Sequence, residues 1–180
     1  MIIKTSMFNW LLIWAFSMWG GVAFAASVDA PKGPVVLILS GKIGGHNQPS
    51  TKQHPFKVSL DMVQLQALPQ KTFVTSTPWD AEPVAYSGPL LRDVLALVKA
   101  SGQRLRAVAL DDYRTKIPVS DAMQFDLLLA LRMNGQEIPV RTKGPLFIVY
   151  PFDANPKLKN KVYYPVSYTH LRAHETLMNI

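Results

Sequence analysis

Short apolar runs separated by polar turns fill the chain from residue 34 to residue 151. The continuous β-branched and leucine run in PVVLILSGKI, which starts at Pro34, is typical of a buried strand. The same reasoning predicts strands over KTFVTST, RLRAVAL, RTKIPVS and GPLFIVYP. Within LLLALRMNGQEIPV, Asn134-Gly135 supplies the two positive-φ residues of a type I′ turn, which predicts a hairpin.

In a few short segments the apolar residues take up a helical spacing. They recur at that spacing from Leu60 to Leu68, with Ser59 as the expected N-cap. A further short helix is predicted over SDAMQF. A few short helices among many short strands, without an internal repeat, favour an α+β domain of mixed short-stranded sheets.

The strongest helix signal follows the stretch YSGP. Ser87 is placed to act as the N-cap, and Pro89 suits the first turn. Apolar residues from Leu90 to Val98 form one face, and Gly102 is expected to end the helix.

The first 25 residues are predicted to be a signal peptide rather than part of the domain. A basic start at Lys4 and the apolar run WLLIWAFSMW precede small residues at Ala23 and Ala25. Cleavage before Ala26 would give a periplasmic or secreted protein without a stable membrane span. The alternative is an uncleaved membrane anchor, which needs about 20 apolar residues.

Charge and cysteine content narrow the function classes. The chain has 180 residues, of which 48% are hydrophobic, enough for one domain with a real core. The 19 Lys and Arg against 12 Asp and Glu give a net charge of +7. The cations are scattered, without a basic helix, which favours a solvated surface over nucleic-acid binding and leaves weak attraction to anionic lipids or ligands open. Zero cysteine excludes disulfides and every thiolate ligand or nucleophile.

Other polar pairs have ordinary explanations. His46 and His54 share a loop at a spacing that no common zinc signature uses, so loop histidines are favoured over a metal site. Asp111-Asp112 at a strand end fits a turn better than an acid/base pair. No triad order, nucleophile elbow or phosphate-binding glycine loop is present.

The end of the chain, from Pro165, has a pattern that matches nothing upstream. PVSYTHLRAHETLMNI resembles the translation of a sequencing-library adapter, so residues 165–180 are predicted to be non-native and poorly packed. His170 and His174 have the spacing of half a zinc-protease site, but the order H-E-x-x-H is missing.

Five stretches in order resemble one family. They are TSTPW, YSGPLLRDVL, ALDDY followed by IP, LLALRMNG and GPLFIVYP. Together they resemble the oxidoreductase molybdopterin-binding domain, with its sulfite-oxidase-type fold, in a short exported form. The resemblance covers roughly residues 56 to 151. It divides the chain into an N-terminal strand and loop (26–55), the domain itself (56–164), expected to be truncated, and the tail.

The resemblance implies a pocket for a pterin dithiolene that carries molybdenum. Enzymes of the family add a cysteine thiolate at the strand end that Thr75, Ser76 and Thr77 occupy here. A neutral hydroxyl is a poor replacement for that soft sulfur ligand. The candidate residues for binding molybdopterin are Thr75, Ser76, Thr77, Tyr113, Arg114 and Lys143.

Three functions are consistent with this resemblance. The first is an exported scaffold that has lost standard molybdenum catalysis. The second is an active oxidoreductase in which the Ser76 hydroxyl ligates the metal. The third is a cofactor-free periplasmic module that binds a small molecule or a redox or sensor partner.

Overall fold

A computed structural model describes residues 28–48, 57–80, 82–108, 114–168, 170–171 and 177–180. These residues form short strands and three short helices. The strands are β1 (Val35–Ser40), β2 (Lys57–Asp61), β3 (Gln70–Thr75), β4 (Val84–Pro89), β5 (Arg104–Val108), β6 (Arg114–Pro118), β7 (Leu128–Ala130), β8 (Arg132–Met133), β9 (Gln136–Glu137), β10 (Leu146–Val149), β11 (His170–Leu171) and β12 (Leu177–Asn179). The helices are α1 (Met62–Ala67), α2 (Leu91–Leu97) and α3 (Val119–Gln124).

The strands form three small sheets. Their orders are β2-β1-β12-β5-β6, β3-β4-β8-β9 and β11-β10-β7, and only the β1–β12 pair is parallel among the described strands. Small antiparallel sheets with a few short helices agree with the predicted α+β class. The longest described helix has seven residues, and no described helix is a candidate membrane span.

The predicted hairpin is confirmed. Asn134 and Gly135 have φ values of 49° and 79°, and β8 pairs with β9 on either side of them. The Asn134 side chain also accepts a hydrogen bond from the backbone N–H of Ala85 at 3.0 Å. The turn is therefore held against β4 as well as by its own strands.

Helix α1 begins two residues later than predicted. The N-cap is Asp61, which forms a capping box with Gln64. Ser59 is instead a buried residue of β2, and its hydroxyl accepts a hydrogen bond from the Gln48 side chain at 2.6 Å. Burial acts to raise the pKa of Asp61, but backbone N–H groups, first among them that of Gln64, hold it below its ordinary value.

The prediction that Ser87 caps α2 is wrong. Ser87 and Pro89 are residues of β4, and α2 begins after Leu90 without a side-chain cap. Gly88 allows β4 to pass close to β7, because a Cβ on this residue would lie 2.1 Å from the carbonyl oxygen of Leu129. This close approach holds the stretch in the sheet. The helix also ends earlier than predicted, at Leu97 rather than near Gly102.

Buried apolar side chains form two clusters. The larger cluster includes residues of β1, β2, α2, β5 and β10. The smaller lies between the four-stranded and three-stranded sheets, where the rings of Tyr86 and Phe147 stack at 5.6 Å. The smaller cluster contacts the loop that follows β3 through Tyr86, whose hydroxyl donates to Asp80. Its buried members are Val84, Tyr86, Leu90, Leu128, Ala130, Ile138, Phe147 and Val149.

The expectation of a poorly packed end is wrong for the described residues. Val166 and Ser167 are buried, and Leu177–Asn179 lies between β1 and β5 in the five-stranded sheet. This position satisfies backbone groups of both neighbouring strands, which would otherwise be left without a sheet partner. The prediction that residues 165–180 are non-native is a separate matter and stays a prediction.

Candidate functional site

Strand β3 ends with a hydroxyl that the fold already uses. Thr75 is fully buried, and its Oγ1 accepts a hydrogen bond from the backbone N–H of Asp153 at 3.1 Å. The same hydroxyl can donate to the Ser76 carbonyl at 3.4 Å. Thr75 therefore joins the end of β3 to the segment after β10 instead of presenting a free oxygen to a ligand.

Ser76 is held against the Asp153 carboxylate by its backbone N–H, and its hydroxyl also interacts with that carboxylate. Its N–H donates to the Asp153 carboxylate at 2.6 Å, and Lys159 forms an ion pair with the same carboxylate at 2.6 Å. The hydrogen bond from Lys159, followed by that from the Ser76 N–H, holds the pKa of Asp153 below its ordinary value. These contacts leave the Ser76 side chain half-buried at the surface of a cleft.

That cleft has a volume of about 240 Å³. The rings of Phe152 and Tyr164 approach each other at 5.5 Å in its wall. Small-molecule pockets usually measure about 300–1,000 Å³, so this one suits a small ligand or part of a larger one. The lining residues are Ser76, Thr77, Pro78, Phe152, Lys159 and Tyr164.

Asp80 is the centre of a second cluster at the far end of the loop. Its Oδ2 accepts hydrogen bonds from the Thr77 and Tyr86 hydroxyls, both at 2.7 Å. Its Oδ1 forms an ion pair with Lys143, and each side chain of the pair is 14% exposed. The Thr77 hydroxyl also accepts from the backbone N–H of Trp79 at 3.2 Å, so it has a partner on both sides.

Electrostatics make this cluster a stable charged pair. Burial acts to raise the pKa of the Asp80 carboxyl, but the hydrogen bond from Lys143 and those from the two hydroxyls hold it below its ordinary value of 3.8. Burial, and then the hydrogen bond to Asp80, raise the pKa of Tyr86 well above its usual range. Asp80 is therefore charged and Tyr86 neutral at neutral pH.

Lys143 reaches Asp80 because the turn around it packs tightly. A Cβ on Gly144 would lie 1.9 Å from the carbonyl oxygen of Ile138, so only glycine allows this approach. The Lys143 ammonium also lies 5.4 Å from the centre of the Phe147 ring, a cation–π contact. Lys143 thus closes the loop after β3 onto the segment before β10.

The structure brings together four of the six predicted site residues. Thr75 ends β3, Ser76 and Thr77 follow it in the loop, and Asp80 connects Thr77 to Lys143. Arg114 does not join them. It is an exposed residue at the start of β6 in the five-stranded sheet.

Several residues singled out from the sequence lie outside the described ranges. Tyr113, the sixth predicted site residue, lies outside the described residues, as do the pair at 111–112 and His54. Within the described ranges no group of three or more His, Cys, Asp or Glu side chains could hold a metal ion.

Sequence reasoning missed Asp80 and Asp153. Asp80 stands three residues after Thr77 in a hydroxyl-rich turn, so a local side-chain hydrogen bond could have been predicted. Asp153 gives no such signal, because it lies 78 residues from Thr75 along the chain. Only the packing of β3 beside the segment after β10 brings them together.

The donor groups at this position do not fit a molybdenum centre of the kind that the resemblance implies. Such a centre takes a soft thiolate from the protein, and the chain contains no cysteine. The hydroxyls of Thr75 and Thr77 are engaged in hydrogen bonds within the protein. Ser76 borders the cleft, and its hydroxyl also interacts with the Asp153 carboxylate.

Comparison with protein families gives a match over most of the described domain. Residues 52–154, more than half of the chain, match the family model for the oxidoreductase molybdopterin binding domain. A comparison with curated proteins found no match to the chain.

Proposed function

The chain belongs to the oxidoreductase molybdopterin binding domain family, and from that premise we propose that it is an exported member without standard molybdenum catalysis. In this proposal the chain keeps the sulfite-oxidase-type scaffold and uses its cleft to bind a small molecule. The place where the family's enzymes carry a thiolate has become a set of structural hydrogen bonds.

The observation that carries the proposal is the bonding of the Thr75 hydroxyl. It is fully buried and accepts from the Asp153 N–H at 3.1 Å. Ligation as an alkoxide would cost the hydroxyl its proton and with it the bond to the Ser76 carbonyl, and the fully buried side chain has no exposed surface that a metal could approach. The residue type and its bonding therefore both oppose ligation.

The chemistry of the cleft supports a ligand with a flat apolar part and a polar edge. Phe152 and Tyr164 offer ring surfaces, while Ser76 offers a hydroxyl. Lys159 adds a cation, although Asp153 partly neutralises it. Such a mixture of rings and a few polar groups is typical of small-molecule pockets.

Metal and pterin analysis of the purified full chain tests the loss of catalysis. We expect far less than one molybdenum and one pterin per chain after expression in a host that makes the cofactor. Stoichiometric molybdenum would overturn the proposal. If molybdenum is absent, saturable binding of a small molecule to the metal-free protein tests the function proposed for the cleft.

A second candidate function is an oxidoreductase in which Ser76 ligates the metal. The position of this side chain at the cleft favours it, since Ser76 is half-buried whereas Thr75 and Thr77 are buried. It predicts that Ser76→Ala abolishes a redox activity and metal loading, whereas Thr72→Ala, which removes an exposed hydroxyl from β3, changes neither. Unchanged activity in Ser76→Ala would exclude it.

Export is proposed from the sequence of residues 1–25 alone. Mass spectrometry of protein from the cell envelope and the medium should find a mature chain that begins at Ala26. Intact protein that retains Met1 and stays with the membrane would instead support the anchor.

A further inference from the structure

The hairpin of β5 and β6 carries a concentration of positive charge on one face. In β5, the exposed Arg104 and Arg106 alternate with buried Leu105 and Ala107. In β6, Lys116 is exposed between two buried residues and lies directly opposite Arg106. Because directly opposite residues of an antiparallel pair share a face, the three cations project to the same side.

These cations line a groove of about 260 Å³. Leu105 and Ile180 complete its lining, so no acidic side chain of the described residues borders it. The ion pairs among the described residues involve other lysines and arginines, and none involves Arg104, Arg106 or Lys116. The three side chains thus give the groove a positive charge that no acidic side chain of the described residues neutralises.

The register makes this arrangement unfavourable in the absence of a counter-charge. Arg106 and Lys116 are a cross-strand pair of like charge, and such pairs destabilise a sheet. An anion between them would replace repulsion by attraction. Two guanidinium groups and an ammonium around one concave site match the geometry of a phosphate group, which accepts paired N–H donors.

We propose that this groove binds a small molecule carrying a phosphate group or a similar dianionic oxyanion. The concave shape favours a small anion over a flat membrane. The large exposed apolar residues of the described chain, such as Trp79 and Val162, also lie outside β5 and β6, so the hairpin face lacks side chains to enter a lipid layer. The groove shares no lining residue with the cleft beside Ser76.

Titration of the purified full chain with inorganic pyrophosphate, followed by calorimetry and by NMR, tests this site. The double variant Arg106→Gln/Lys116→Gln should weaken binding at least about tenfold, since it removes two of the three charges that contact the anion. The matched control Lys157→Gln/Lys161→Gln removes the same net charge from exposed positions elsewhere and should change the affinity less than about twofold.

Folding of the variants is checked by thermal unfolding. Removal of the like-charge pair should leave the midpoint unchanged or raise it, so loss of binding would not reflect loss of structure. Equal weakening in both double variants would overturn the proposal, because it would indicate attraction by net charge alone. The proposal would also be overturned if the unaltered chain did not bind pyrophosphate. The same holds if, in a parallel sedimentation assay, the chain bound phosphatidylglycerol vesicles but not pyrophosphate.

Discussion

The Asp80 carboxylate and the Lys143 ammonium, 63 residues apart in the chain, form an ion pair that closes the loop after β3 onto the turn before β10. Each side chain is 14% exposed, so water screens the pair only in part. The pair also holds the Thr77 and Tyr86 hydroxyls in place through the second carboxylate oxygen. The candidate cleft beside Ser76 therefore depends on a contact that lies outside the cleft itself.

Asp80→Asn should lower the free energy of unfolding by about 2–3 kcal/mol, because it leaves the ammonium of Lys143 largely buried without its partner. Urea unfolding at pH 7 measures this. Lys143→Met removes the other charge, and the double variant should be less damaging than the sum of the two single variants. Strict additivity would contradict a direct coupling between the two residues.

Tyr86→Phe should cost about 1–2 kcal/mol of stability, because it removes a hydrogen bond to a charged acceptor while keeping the stacked ring. Thermal or urea unfolding gives the value. Tyr163→Phe is the matched control, since its ring packs against Tyr150 by an edge contact and the change removes only a hydroxyl. Equal costs for both variants would show that the bond to Asp80 adds nothing.

Stability should fall in acid. The pKa of Asp80 lies below its ordinary value of 3.8, so the folded chain holds this proton less tightly than the unfolded chain does. The contribution is fully present above pH 3.8 and is lost as the pH falls through the lowered pKa of the folded state. Unfolding free energies measured between pH 7 and acid pH should show this loss.

The control for this pH dependence is Asp80→Asn, whose free energy of unfolding should fall less steeply as the pH is lowered. Asp126 and Asp153 also have a lowered pKa, in each case first because of a lysine partner, and add to the same loss. They are 36% and 35% exposed, so screening makes their share smaller. An identical acid slope with and without Asp80 would contradict the role given to this residue.

Gly88→Ala should prevent stable folding or cost more than about 3 kcal/mol, because the new Cβ would lie 2.1 Å from the Leu129 carbonyl oxygen. Circular dichroism and urea unfolding measure the outcome. Gly135→Ala is the control. Its Cβ would meet no atom within 4 Å, so only its φ of 79° opposes the change, at about 1 kcal/mol. A mild effect at both positions would show that β4 and β7 can separate.

Local pattern was enough to find several of the strands and the hairpin. β1, β3, β5 and β10 lie where apolar runs predicted them, and the Asn134-Gly135 turn has the expected positive φ values. Helix starts were less predictable. Ser87 has the chemistry of an N-cap, but the close approach of Gly88 to β7 keeps this stretch in a strand.

The sequence by itself determined the class of the fold, the family resemblance and the absence of a thiolate, because these depend on residue type and on short-range periodicity. Only the tertiary structure decided which hydroxyls are engaged. Asp153 reaches Thr75 across 78 residues and Lys143 reaches Asp80 across 63, and no local pattern encodes such pairings. They arise from the path of the chain between sheets, which side-chain spacing along one strand does not specify.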